Sequence, residues 1–413
     1  MIHFDKFTLP NGLKVIVHKD PSTPIAAVNI LYNVGARDEH PDKTGFAHLF
    51  EHLMFGGSKN IPVYDEPLER VGGDNNAFTN NDITNYYLTI PVQNLETAFW
   101  LESDRMNELA FSEKSLSVQR NVVIEEFKQR YLNQPYGDIW LLLRPLAYKV
   151  HPYQWSTIGK DISHIENTQI EDVKSFFYQY YRPNNAIMVV AGNVETEQIK
   201  NLCDKWFKDI PAGTPNNRLL PVEPLQTEER KLTVEKDVPY DAIYKVYHIC
   251  KRTDKEYNAV DLISDILSSG KSSRFNNELI KQQKLFSEVN SYITGDIDNG
   301  LFVVTGKLHK GIKMEDAEQA IDNELEKLKT ITVEDYELQK LKNKVESINA
   351  FSQLKAIDKA MNLAYYELLG DAEMINTDID KYQAVTSEEI MRYSNKIFIK
   401  SNCSTLYYYS KNK

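Results

Sequence analysis

Cysteine is scarce in this 413-residue chain: there are three, Cys203, Cys250 and Cys403, far apart and odd in number. That excludes a disulfide framework and a CxxC metal clip, and it suits reduced, buried thiols in a cytoplasmic protein. An excess of basic charge is also missing. With 48 Lys and Arg against 59 Asp and Glu, the net charge is −11. This argues against a nucleic-acid partner, because a phosphate backbone is gripped by a basic stripe. No apolar run approaches the roughly 20 residues that cross a bilayer, so no membrane partner is expected. The opening MIHFDKFTLPNGLKVIVHKD lacks a basic segment followed by an apolar one. It reads as the first strand of a domain and not as a secretory signal. The four tryptophans, Trp100, Trp140, Trp155 and Trp206, read as packing residues.

What is present is an ordinary globular balance, 42% hydrophobic and 26% charged, in a chain long enough for about two or three domains. The clearest break is a proline-bearing stretch without period, residues 211–230, which suits a linker. It separates an expected first domain, 1–210, from a second, 231–413. On both sides the pattern runs in similar order: two strands, a helix, more strand, a helical block and a final strand. The fold expected is α+β, two homologous domains, each a mainly antiparallel sheet with helices packed on one face.

Chemistry concentrates in TGFAHLFEHLMFGGS, with a helix expected near 44–56. On a helix His48 and His52 stand one turn apart on the same face, so two imidazoles reach one ion. Glu51 falls within about a 100° arc of His48, beside that ion without ligating it. Catalytic zinc takes three protein ligands and keeps one position open. Two histidines therefore lack one carboxylate, and Glu51 is free to act as a base toward water.

The best segment for that carboxylate is 112–134, where Ser112 caps a long helix carrying Glu125 and Glu126. Periodicity alone does not separate the two glutamates. A third feature is GGDNNAFTNNDITNYYLTI, residues 72–90, where Gly and Asn give way to an alternating strand. An edge strand beside a metal would hold a peptide by strand addition, with little regard for sequence.

Read together, LPNGLKVIV, GARDE, TGFAHLFEHLMFGGS, NAFTNNDITNYY, RNVVIEEF, HPYQWSTIG and YYRPNNAIMVVAGNV resemble the pitrilysin and insulin-degrading-enzyme family. Its members carry the inverted zinc motif His-x-x-Glu-His. The resemblance covers nearly the whole chain and is closest to bacterial two-domain members and mitochondrial processing peptidase subunits. It implies a zinc metalloendopeptidase acting on short or unfolded peptides in a chamber between domains. His48 and His52 take the family's zinc-binding roles, and Glu51 that of general base. The family's distal-ligand pattern, laid on RNVVIEE, selects Glu126. Asn76, Ala77, Phe78 and Thr79 match the segment that holds substrate.

Two positions depart from the family. Gln119 stands where a second glutamate is usual, leaving an amide in the shell behind the ligands. In the second half Ile280 and Ser287 occupy the places of a substrate-clamping arginine and tyrosine. Losing such donors costs a few kcal/mol of transition-state stabilisation. The expectation is therefore a zinc-bearing subunit, in a homodimer or in a heterodimer with a related chain lacking the motif. The alternative is a non-catalytic assembly or docking subunit of the same fold.

Overall fold

The computed structural model describes residues 1–216 and 218–411. Asn217, inside the expected linker, and the last two residues of the expected second domain lie outside the described residues. The first half opens with β1 (Asp5–Thr8), β2 (Lys14–Lys19), β3 (Ile25–Tyr32), α1 (Phe46–Leu53), α2 (Asp65–Arg70) and β4 (Asp74–Thr79). β5 (Thr84–Pro91), α3 (Leu95–Asn107), α4 (Glu113–Phe127), α5 (Ile139–Ala147) and α6 (Ile162–Glu166) follow. It closes with α7 (Ile170–Tyr180), β6 (Ala186–Gly192) and α8 (Thr196–Trp206). The second half runs β7 (Arg230–Lys236), β8 (Ala242–His248), α9 (Tyr257–Ser268), β9 (Phe286–Ile293), β10 (Leu301–Leu308) and α10 (Met314–Thr330). It ends with α11 (Asp335–Ser352), α12 (Ala356–Leu369), α13 (Met374–Ala384), α14 (Ser387–Ile397) and β11 (Cys403–Ser410).

The class is α+β, with two mainly antiparallel sheets. Strand order is β1-β2-β6-β3-β5-β4 in one and β7-β11-β8-β10-β9 in the other. Apart from the extra β1, the orders correspond strand for strand. Even the single parallel pair recurs, β2 with β6 and β7 with β11.

One boundary between the compact units falls at 221/222, inside the expected 211–230 linker, but further boundaries cut through each half of the chain. One unit comprises residues 1–130, 155–221 and 350–377; the other 131–154, 222–349 and 378 onward. Each half of the chain thus gives a helix to the opposite unit. The reason lies in the sheets. In β6, AIMVVAG is buried at every position, so both faces need cover. One face, with Ile16, Ala27, Leu31, Ile187 and Val189, packs against Ala360, Leu363 and Ala364 of α12. The opposite face meets the first half's own helices, α3 against β5 and α8 against β2. The second sheet repeats the device: Val246, Val303 and Leu406 cover Leu143 and Ala147 of α5. Its other face, with Ile243, Phe302 and Val304, joins a cluster containing residues of α9 and α10. The expected layer of helices on one face is there, and the exchanged helix closes the second face.

Cys203, Cys250 and Cys403 are buried and unpaired. Burial pushes the Cys203 and Cys250 thiols up to about 12, so they are inert. Among the described residues no helix is long and apolar enough to cross a membrane.

Candidate metal centre

The apolar residues of α1, Phe46, Ala47, Leu49, Phe50 and Leu53, are buried. Phe50 stacks on Tyr181 with centroids 4.9 Å apart. The half-exposed stripe left over is His48, Glu51 and His52. The two imidazole centroids lie 4.8 Å apart, as one-turn spacing requires.

α4 brings a carboxylate to them. Ser112 caps this helix by accepting the Ser115 N–H at 3.0 Å. In its last turn Glu126 places Oε2 3.6 Å from His48 Nε2 and 3.5 Å from His52 Nε2. Its Oε1 takes Arg130 Nη1 at 2.9 Å. Arg130 belongs to a π-helical turn, Lys128–Leu132, that extends α4; such turns recur at functional sites. Glu125, which periodicity left open, is 60% exposed and pairs with Lys128 at 2.8 Å.

The donor spacing can be tested against a metal. Ligands at about 2.0–2.1 Å in a tetrahedron stand about 3.4 Å apart. The two separations from Glu126, 3.5 and 3.6 Å, are near that edge, and all three donor atoms lie within 4.8 Å of one another. Among the described residues, His48, His52 and Glu126 are the only group of three or more such donors gathered this way. Burial, opposed by Glu126, pushes His48 down to about 4, so its imidazole is neutral with a lone pair to donate. Its Nδ1 is buried without a hydrogen-bond partner among the described residues. The hydrogen bond from His52 holds Glu126 below the usual carboxylate range, so it is ionised. Two imidazoles and one carboxylate form a donor set suited to zinc.

Glu51 stays out of this set. The Thr79 hydroxyl donates to its Oε2 at 2.5 Å. Burial raises its pKa, and the Thr79 bond partly offsets that. Thr79 ends β4, the edge strand, which pairs with β5 only. Ala77 shares its face, opposite Tyr86. Phe78 turns the other way, 38% exposed and 6.5 Å from the Tyr87 ring. Asn76 Oδ1 accepts the Ala77 N–H at 2.8 Å. Of the four residues singled out here, Thr79 reaches the acid and the others form the edge.

Gln119 does not brace the site as expected. It is half-exposed near Gly56, and its amide makes no hydrogen bond among the described residues. Seven residues span about 10 Å of helix, too far for it to reach Glu126. Arg130, one turn beyond Glu126, does the bracing instead. The spacing Glu-x-x-x-Arg could have flagged it in the sequence. In the other unit Ile280 lies on a π-helical turn, Asn276–Gln282, and packs half-buried on the core. The Ser287 hydroxyl donates to the Lys307 carbonyl at 3.2 Å.

Comparison with known proteins follows the same lines. Residues 14–139 match the family profile described as Insulinase (Peptidase family M16), and residues 167–345 that described as Peptidase M16 inactive domain. The chain is 30% identical over 411 residues to the zinc protease PqqE of Helicobacter pylori, covering 98% of this chain and 92% of that protein. The crystal structure of a protease from Helicobacter pylori matches with a TM-score of 0.92 at 30% identity, covering 99% of this chain and 100% of that one. Pitrilysin shares the fold, with a TM-score of 0.79 at 19% identity; the match covers 99% of this chain and 45% of pitrilysin.

Proposed function

Because this chain belongs to the insulinase (M16) family of peptidases, we propose that it is a zinc metalloendopeptidase cutting short or unfolded polypeptides. His48, His52 and Glu126 hold the ion, and Glu51 is the general base. The observation that carries this reading is the spacing of the three donors, 3.5 and 3.6 Å from Glu126 to the two histidines, with Glu51 tied to Thr79 beside them.

A bound zinc ion supplies Lewis acidity, polarising the scissile carbonyl and acidifying a water. The remaining work falls to the chain. A substrate segment adds to the β4 edge, its backbone N–H and C=O groups pairing with those that alternate residues of the stretch 76–79 turn away from β5. Glu51 accepts a proton from the attacking water on a carboxylate oxygen and later delivers it to the leaving amine nitrogen. Thr79 holds that carboxylate beside the metal donors and out of their set. Arg130 keeps Glu126 turned inward.

Ile280 and Ser287 supply no donor to a substrate: one packs in its unit's core and the other is engaged with Lys307. This chain also spans 45% of pitrilysin. The reading therefore extends to a dimer, in which a second copy or a related chain without the zinc motif completes the site. The competing reading, a non-catalytic subunit, draws on the same two residues.

Metal analysis combined with turnover of a quenched peptide decides between them. The peptidase reading expects one zinc per chain, and activity that chelation removes and zinc restores. Bound zinc without turnover, in the native assembly, would leave the non-catalytic reading standing.

A further inference from the structure

A buried 3-10 turn, Ala36–Asp38, flanked by Gly35 and Glu39, touches both α1 and the turn joining β4 to β5. Its two ends reach in different directions. Glu39, 6% exposed, accepts the Gly45 N–H on Oε2 at 2.9 Å and the Ala47 N–H on Oε1 at 2.8 Å. These are first-turn amides of α1, which lack intrahelical partners. α1 cannot cap itself. Its N-cap is Gly45, at φ +89°, where an added Cβ would lie 2.8 Å from the Ile158 carbonyl oxygen. A serine or aspartate has no room there, so the cap comes from six residues upstream; burial raises the Glu39 pKa well above the usual carboxylate range, and the bonds from Ala47 and Gly45 at the positive end of the helix oppose that shift.

The other end holds the turn joining β4 to β5. Ala36 N–H donates to the Asn80 carbonyl at 3.1 Å and Arg37 N–H to that of Asn81 at 2.9 Å. The Arg37 guanidinium pairs with Asp82 at 2.8 Å, both side chains 5% exposed or less. Gly35 permits this approach, since a Cβ there would fall 2.5 Å from the Asp82 nitrogen. The turn itself is pinned by Trp155 Nε1 on the Ala36 carbonyl at 2.9 Å and by Arg218, which donates twice to Asp38 at 2.6 and 2.9 Å.

We propose that Glu39 and Arg37 are positioning residues: through one rigid turn, Glu39 fixes the helix bearing His48 and His52, and Arg37 fixes the hairpin bearing Thr79 and the substrate edge. This rests on the zinc peptidase reading for what is positioned. The turn sets the separation between metal donors and bound peptide, and its two arms act on different steps. Glu39 governs metal affinity. Arg37 governs the fit of the peptide.

The test compares Glu39→Gln and Arg37→Gln in the full chain. It reads zinc affinity by chelator competition, amide hydrogen exchange of the metal-free protein, and kcat and KM on a quenched peptide. Glu39→Gln should weaken zinc binding by about 10- to 100-fold, as loss of an outer partner does, and speed exchange over 45–53 alone. Arg37→Gln should leave zinc affinity unchanged, speed exchange over 74–84, and raise KM more than it lowers kcat. Arg37→Lys, which keeps the charge, should recover part of the KM. If Glu39→Gln fails to fold, Glu39→Asp keeps the carboxyl group with a shorter reach and should loosen 45–53 alone. Wild-type zinc affinity and α1 protection in the Glu39 variant would overturn the proposal, as would identical changes from both variants. If the wild-type chain bound no zinc, the peptidase reading would fall, and the exchange pattern would still decide whether the two arms are separate.

Discussion

α1 in one unit and α9 in the other hold equivalent places along the chain, each between a central strand, β3 or β8, and the edge hairpin of its own sheet. In α9 the stripe that carries metal donors in α1 is filled differently. Its residues include the buried Tyr257, Ala259, Val260, Leu262, Ile263, Ile266 and Leu267, and it has no histidine. Its acids are spoken for: Asp261 accepts the Tyr382 hydroxyl at 2.7 Å, and Asp265 pairs with Lys344. The edges differ in the same sense. β9 is stitched to α9 by Ser268 on the Ser291 carbonyl at 2.8 Å and by Ser291 on the Ser264 carbonyl at 2.9 Å. β4 instead sends Thr79 to the free acid Glu51. One layout closes with apolar fill and hydroxyl stitches, so the fold does not need the donors. On the proposed reading, His48, Glu51, His52 and Glu126 are a candidate site added to a fold that stands without it.

The most severe way to break the contrast is Glu51→Gln, which removes the proton carrier and leaves the donors. Peptide turnover should fall by about 10²–10⁴-fold while zinc content, measured on the same sample, stays at the wild-type level. Converting the stripe of α1 toward that of α9, by His48→Leu with His52→Leu, should abolish zinc binding. The metal-free variant should melt within a few degrees of the metal-free parent, because both side chains keep some exposure, 14% and 23%, and leucine adds no unsatisfied polar group. A collapse in melting temperature would mean that the imidazoles hold the fold together.

The exchanged helices sharpen the comparison at the level of stability. Leu363 in α12 and Leu143 in α5 are both fully buried, each against the sheet of the other half. Truncating either to Ala should cost about 2–5 kcal/mol. Hydrogen exchange should locate the Leu363→Ala loss in the strands of the first half and the Leu143→Ala loss in those of the second.

The smallest effect concerns the ion pair of Lys359, on α12, with Asp20. The Lys359 ammonium, helped by Ser22, holds Asp20 below the usual carboxylate range. A depressed carboxylate stabilises the fold above its unfolded pKa of about 3.9, and that contribution fades as pH drops toward the folded value. Asp20→Asn should cost about 1 kcal/mol near neutrality and flatten the acid side of a denaturation profile.

These results also mark what a sequence carries. α1, α4 with its Ser112 cap, and nearly every sheet strand announce themselves by period and capping, because those signals are local. α2, α5, α6 and α13 pass unnoticed, and β4 is caught only within the broader stretch 72–90. β4 is short and polar at a sheet edge, and α5, IWLLLRPLA, has a proline within a nine-residue run. The exchange of α5 and α12 leaves no trace at all, since an apolar stripe says that a helix is covered and not by which sheet. Glu125 and Glu126 are indistinguishable by period. What separates them is the pairing of one with Lys128 and the turn of the other toward His48 and His52. Glu39 stood in plain view in GARDE, yet its partners, Gly45 and Ala47, are backbone amides that no side-chain motif reveals.

The most direct measurement is a crystal of this chain grown with zinc and mapped at the metal's absorption edge. A single anomalous peak bonded to His48 Nε2, His52 Nε2 and the Glu126 carboxylate, with Glu51 still on Thr79, is the outcome the account requires. No peak at those atoms, or a peak that takes Glu51 as a ligand, would contradict it.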